Sequence, residues 1–184
     1  VSCNYYFYQL GYDLYKFKTD YMDITAKGLG LGERTGVELP EYIGHRANKE
    51  TKSMLYVGDD KDWYTGDSIL AAIGQSDNLF TPLQLANYVA TIVNGGTRYQ
   101  PHLLKTVMDY TNTETYEAVQ PTVLNRLDIA QTSVDAIKEG MKGVVSPEDG
   151  GTASSVFSMA FAKNGYLEKI SGKTGTAQTA ASNN

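Results

Sequence analysis

An α+β fold, a mostly helical cluster with part of an antiparallel sheet, is the class this sequence predicts. Apolar residues recur at helical spacing through most of the chain. One helix start carries a complete cap, at Thr81-Pro82-Leu83-Gln84. Strand-like patterning is confined to short stretches, the last of them near the C-terminal end.

The first helix is expected over residues 5–17, where Phe7, Leu10, Leu14 and Phe17 form an apolar stripe. A second short helix follows from Asp20 to Lys27, and the glycines of Gly28-Leu29-Gly30-Leu31-Gly32 stop it. Residues 33–62 read as loop, with Asp59, Asp60, Lys61 and Asp62 as a solvated charge run rather than a metal site. A helix from Asp67 to Gly74 places Ile69, Leu70 and Ile73 on one face. The capped helix runs through Leu85, Ala86, Val89, Ile92 and Val93, and Asn94-Gly95-Gly96 ends it. Leu103 to Met108 reads as a strand and Thr111-Asn112-Thr113 as a turn. Another helix is expected over 132–145, with Val134, Ile137, Met141 and Val144 buried and with Thr132 and Asp135 as its cap. Gly150-Gly151 opens a loop, and 170–179 is the final strand. That strand has few partners in the sequence, so it is expected to be displaced, swapped between chains or poorly ordered.

Composition bounds the chemistry. The chain has 184 residues, 41% hydrophobic and 20% charged, which is ordinary for a globular domain. A net charge of −5 argues against a nucleic-acid surface, which needs a basic patch. The one cysteine, Cys3, excludes an intrachain disulfide and Cys-cluster metal sites. His45 and His102 show no ligand spacing. Fourteen tyrosines, many of them near the N-terminal end, read as aromatic packing rather than a stacking platform.

Two short polar motifs carry chemistry. In Lys173-Thr174-Gly175-Thr176-Ala177-Gln178, alternation along a strand puts Lys173, Gly175 and Ala177 on one face and Thr174, Thr176 and Gln178 on the other. Gly175 lets a ligand backbone lie close. Edge amides can pair with an extended peptide or hold an oxyanion, and Lys173 supplies a positive field for a carboxylate. At the other end, Ser2 and Asn4 can share one cavity, the hydroxyl relaying a proton and the carboxamide both donating and accepting. Ser2 and Asn4 equally suit an N-cap for the helix that follows.

Set in their surroundings, the motifs resemble those of class B penicillin-binding proteins, the D,D-transpeptidases. Ser2-Cys3-Asn4-Tyr5-Tyr6-Phe7-Tyr8 resembles the family's second motif and the helix after it. Gly74-Gln75, Thr81-Pro82-Leu83-Gln84-Leu85-Ala86 and Asn94-Gly95-Gly96 resemble the helix pair between motifs two and three. Ser171-Gly172-Lys173-Thr174-Gly175-Thr176-Ala177-Gln178 resembles the third motif. The first motif, a Ser followed three residues later by Lys, does not occur: no Ser or Thr has Lys at i+3.

The resemblance implies a truncated serine β-lactamase/D,D-peptidase-like transpeptidase fold, with residues 1–184 one incomplete domain. It implies that Ser2 shuttles protons and that Asn4 binds the acyl-side amide and steadies a catalytic lysine. Lys173 attracts the substrate carboxylate, while Thr174 and Thr176 hydrogen-bond it. Gly175 and Gln178 complete the substrate-binding stretch, and the Thr176 amide supplies half of an oxyanion hole. The reaction implied is acyl transfer on peptidoglycan stem peptides, with β-lactams acylating the same serine. No metal or organic cofactor is implied. The parent protein is expected to be membrane-anchored through an upstream segment, to face outward, and to work with cell-wall elongation or division proteins. The chain alone is expected to be soluble and inactive. A β-lactam sensor or non-catalytic wall-binding module of the same fold, and a serine β-lactamase or carboxypeptidase, are the alternatives.

Overall fold

The computed structural model describes residues 3–161, 165–166 and 169–176. Helix α1 (Asn4–Lys16) begins one residue earlier than the apolar spacing suggests. Its inward side differs from the expected stripe. Leu10 and Phe17 are exposed, and Gly11 is the buried residue. Gly11 faces α4 (Thr65–Ala71) so closely that a Cβ there would lie 2.6 Å from the Ser68 carbonyl oxygen and 2.9 Å from Ile69 Cα. A missing side chain, not an apolar one, brings these helices together. On α4 itself Ser68 and Ala71 are the buried residues, while Leu70 is exposed, so small residues again make the contact.

Helix α2 (Tyr21–Gly28) lies where expected. Gly30 and Gly32 then adopt φ of 88° and 67°, the left-handed backbone that ends it. Residues 33–62 are not simply loop. Helix α3 (Lys49–Leu55) lies within them, started by Asn48, whose side chain accepts from the Thr51 amide at 2.8 Å. A 3-10 turn, Gly58–Lys61, follows, and its charge run is exposed as expected. Both elements are too short and too polar to show a hydrophobic period. Around them, Arg46 donates to Asp23 and to Glu33, each at 2.8 Å, and to the Leu31 carbonyl at 2.7 Å. Glu41 accepts from the Thr35 and Gly36 amides and from the Thr35 hydroxyl.

Helix α5 (Pro82–Val93) keeps its reciprocal cap. The Thr81 hydroxyl accepts from the Gln84 amide at 3.2 Å, and Gln84 Oε1 accepts from the Thr81 amide at 3.1 Å. Gln84 is 1% exposed and does more: its Nε2 donates to the carbonyls of Glu33 (2.7 Å) and Ile43 (2.9 Å). One side chain thus caps α5 and pins the preceding loop to it.

The β-structure is richer than the sequence suggests. Strands β1 (Thr97–Tyr99) and β4 (Val123–Arg126) pair antiparallel, with Thr97 opposite Arg126. Between them β2 (Thr106–Met108) and β3 (Thr115–Ala118) form a separate hairpin, with Thr106 opposite Ala118. Its turn is the expected Thr111-Asn112-Thr113, and Asn112 takes a left-handed φ of 55°. Asp109 gathers the turn by accepting from the Thr113 and Glu114 amides and the Thr111 hydroxyl, and these bonds, that of Thr111 first, hold its carboxyl well below the usual range. Three- and four-residue strands carry too little alternation to announce themselves.

Helix α6 (Gln131–Gly143) buries Val134 completely, with Val144 and Val145 just beyond its end. Ile137 is exposed, which narrows the expected face. Its cap also differs: Ala130 holds the N-cap position and Thr132 and Asp135 make no capping bond, because Thr132 already lies inside the helix. Helix α7 (Ser154–Phe161) was not legible after the glycines.

Residues 171–176 form no strand. The expected strand over 170–179 is corrected for that stretch: no strand among the described residues supplies it a ladder, and the backbone runs as an irregular segment. Residues 177–179 lie outside the described residues.

Candidate active site

The segment that carries Lys173 is suspended from three places. The Gly172 amide donates to the Met141 carbonyl of α6 at 3.0 Å. The Thr174 hydroxyl meets that of Thr152 at 3.3 Å. The Thr176 carbonyl accepts from Gln75 Nε2 at 3.4 Å. These contacts bring the C-terminal motif to the N-terminal end of α1.

A cleft of about 510 Å³ separates the two. Cys3, the N-cap of α1, and Asn4 and Phe7 of its first turn line one side. Ala72 and Ile73 after α4, and Tyr88 of α5, form the wall between. Lys173, Thr174, Gly175 and Thr176 line the other side. Asn4 and Lys173, distant in sequence, therefore face a common space.

The packing of α1 on α4 explains this placement. Gly11 seats α1 against the backbone of α4, and the residues just past α4 are those of the cleft wall. The N-cap of α1 is Cys3, in extended backbone, and its own side chain makes no capping bond. The capping role open to Asn4 in the sequence is thus not the one it takes; it is the first helical residue. The N-terminal end of the helix dipole gives the cleft a partial positive charge on that side. Lys173 adds a cation opposite, its Nζ donating to the Thr174 carbonyl at 2.8 Å. The two together suit an anionic ligand group.

Lys173, Thr174, Gly175 and Thr176 all reach the cleft, both parities of the expected strand. Strict alternation of faces is corrected with the strand itself: an irregular backbone can turn successive residues to one side. Among the described residues nothing meets a Cβ at Gly175 within 4 Å, which leaves space for a ligand beside its backbone. Ser2 and Gln178 lie outside the described residues. Sequence reasoning missed the lining contributions of Phe7, Ile73 and Tyr88 and the tether from Thr152. Gln75 was visible as part of Gly74-Gln75, without its contact to Thr176.

A broader depression of about 670 Å³ lies against Arg98, Arg34, Lys27 and Asn125. It holds none of the motif residues. Arg98 there is buried and occupied with structural partners, the Arg34 carbonyl at 2.8 Å and Asn87 Oδ1 at 3.4 Å. The smaller cleft gathers the polar groups with chemical potential, and size does not outweigh that.

Known proteins bear on the same residues. The family model "Penicillin binding protein transpeptidase domain" matches residues 1–184. Penicillin-binding protein 2B of Streptococcus pneumoniae is 35% identical over 156 residues, covering 82% of this chain and 20% of that protein. Peptidoglycan D,D-transpeptidase MrdA of Escherichia coli is 32% identical over 178 residues, covering 96% of this chain and 26% of that protein. The chain thus spans about a fifth to a quarter of the length of the curated relatives it matches. Among solved structures, a chain from "Structural coordination of polymerization and crosslinking by a peptidoglycan synthase complex" superposes with a TM-score of 0.71 at 30% identity, over 98% of this chain and 27% of that one. Penicillin-binding protein 2B of Streptococcus pneumoniae strain R6 gives 0.62 at 31% identity, over 88% and 24%. The chain belongs to the transpeptidase-domain family of the penicillin-binding proteins, and its fold is theirs.

Proposed function

We propose that the protein carrying this chain is a serine D,D-transpeptidase that cross-links peptidoglycan stem peptides, and that residues 1–184 are one part of its catalytic domain. The observation that supports this reading is the convergence of Asn4 and Lys173–Thr176 on one cleft. In the reaction, a serine hydroxyl outside this chain attacks the carbonyl of the penultimate D-alanine. The peptide C–N bond breaks, and the serine proton passes to the departing D-alanine nitrogen. An amine of a neighbouring stem peptide then attacks the ester, and its proton returns to the serine oxygen as the ester C–O bond breaks.

The chain's residues serve that sequence in distinct roles. Ser2 relays the proton. Asn4 binds the acyl-side amide and orients the lysine of the nucleophile motif. Lys173 draws the substrate carboxylate, to which the Thr174 and Thr176 hydroxyls donate. The Thr176 amide holds the oxyanion, and a fixed backbone donor is effective because it needs no reorganisation. Gly175 and Gln178 line the path of the peptide. β-Lactams acylate the same serine. The protein is anchored in the cytoplasmic membrane with this domain outside and works beside elongation or division proteins. Among the described residues no helix is long and apolar enough to cross a membrane.

The test is covalent labelling of the full-length protein by a fluorescent penicillin. A band surviving denaturing electrophoresis is expected from the full-length protein and not from residues 1–184 alone. Lys173→Ala in the full-length protein should slow labelling by about a hundredfold, the usual loss when a transition-state electrostatic partner is removed. An unlabelled full-length protein overturns the proposal.

A further inference from the structure

Gln75 stands at the far end of α4, where the chain makes a tight stop. Gly74 adopts φ of 79°, its amide donates to the Ala71 carbonyl at 3.0 Å, and the Gln75 amide donates to the Leu70 carbonyl at 3.0 Å. That pair of bonds is the Schellman arrangement, which needs glycine at the left-handed position. The Gln75 carbonyl is held too, accepting from Asn78 Nδ2 at 3.1 Å. Asn78 is itself fixed, because its Oδ1 accepts from the Ala47 amide at 2.9 Å. The backbone of Gln75 is therefore immobilised on both sides, and only its side chain reaches outward.

That side chain reaches Thr176. Its Nε2 donates to the Thr176 carbonyl across a sequence separation of 101 residues. The other tethers act upstream, at Gly172 and Thr174. Gln75 is the one that reaches Thr176 among the described residues. Residues 171–176 have no strand ladder to fix their peptide planes. At 3.4 Å the bond is long for an amide donor. Catalytic hydrogen bonds of this length tighten when substrate binds.

We propose that Gln75 is a positioning residue for acylation: its carboxamide holds the Thr176 carbonyl and so aims the Thr176 amide at the oxygen of the carbonyl under attack. Gln75 touches no reacting atom. It acts by fixing the peptide plane that follows Thr176, which limits rotation about the Thr176 backbone and keeps the amide donor in place. The inference builds on the transpeptidase reading above.

The experiment measures the second-order acylation rate constant of the full-length protein with a fluorescent penicillin, for wild type, Gln75→Ala and Gln75→Glu. Gln75→Glu keeps the shape but, when ionised, removes the donor. At pH 7 both variants should acylate about tenfold more slowly, the upper range for one hydrogen bond. As pH falls toward the ordinary Glu range of about 4.3, the protonated carboxyl becomes a donor again. The Gln75→Glu rate, taken as a ratio to wild type at each pH, should then recover while that of Gln75→Ala stays low. A merely structural loss would not recover with that ionisation. Variants within twofold of wild type at pH 7, or a Gln75→Glu ratio flat with pH, overturn the inference while wild-type labelling leaves the transpeptidase reading intact. An unlabelled wild type removes both.

Discussion

At the scale of single residues, polar side chains do much of the joining in this chain. Gln84 is the clearest case. Its carboxamide serves the Thr81 amide, the Glu33 carbonyl and the Ile43 carbonyl from a position 1% exposed. Gln84→Leu keeps similar volume but strands two part-buried carbonyls and breaks the cap. It should destabilise the protein by about 3 kcal/mol, the sum expected from two unmet acceptors and half a capping box. Chemical denaturation of the variant checks this, and a loss of less than 1 kcal/mol (about one cap alone) would show that the loop is held by other means. The sequence displayed half of this residue's work. Thr81-Pro82-Leu83-Gln84 announces a capping box because its partners are three residues apart. The bonds to Glu33 and Ile43 span distances that no local pattern encodes. Asn4 teaches the same lesson in reverse. Its chemistry pointed both to a cap and to a cleft, and only the fold decides that it faces the cleft.

Among elements, the contact of α1 with α4 matters most, since it sets one side of the site against its wall. The sequence marked both helices through their periodicity and placed Phe7, Leu14, Ile69 and Ile73 on half-buried faces, but it also put Leu10, Phe17 and Leu70 there, which the structure exposes. An apolar stripe through Leu10 and Phe17 looks like a core in isolation. Gly11 looks like a flaw in a helix, at a propensity cost of about 1 kcal/mol. The structure reverses their roles, because close backbone approach requires the absence of a side chain. Gly11→Ala should therefore destabilise by about 1–3 kcal/mol despite its better helix propensity, since the methyl would meet backbone atoms that cannot swing away. It should also slow penicillin acylation, because α1 must shift and Asn4 with it. Thermal denaturation and labelling rates measured together test this; a stabilised variant with unchanged labelling would refute the contact. The short elements α3, β1, β3 and β4 were illegible for a different reason. Their sequences are too brief for a period, and strand pairing over the distance from β1 to β4 is set by tertiary closure.

The whole molecule exposes 13130 Å² of surface, against about 8,800 Å² for a compact monomer of this mass. Large apolar side chains such as Tyr5, Phe17, Tyr42 and Met159 stand in solvent. The buried apolar set is small, with Val134 and Val145 its best covered members. Such a surface fits a chain that spans only part of its relatives. The terminal motif joins no sheet among the described residues, and the 172–176 segment hangs from Met141, Thr152 and Gln75. The motif residues were legible because their chemistry is local. Their meeting was expected from the family resemblance alone, since no local pattern encodes the seating of α1 or the three bonds from separate elements.

The N-terminal end of α1 and the Lys173–Thr176 segment line one cleft, and the roles of both motifs depend on that meeting. Cys3 is the sole cysteine of the chain and is exposed on one side of that cleft. Gly175, on the other side, has open space for a side chain. Nitroxide labels on Cys3 and on Gly175→Cys, in the full-length protein with any other cysteine replaced, measure the separation directly. Strong dipolar broadening, absent from either singly labelled protein, is the predicted spectrum; a doubly labelled spectrum equal to the sum of the two single ones would contradict the account.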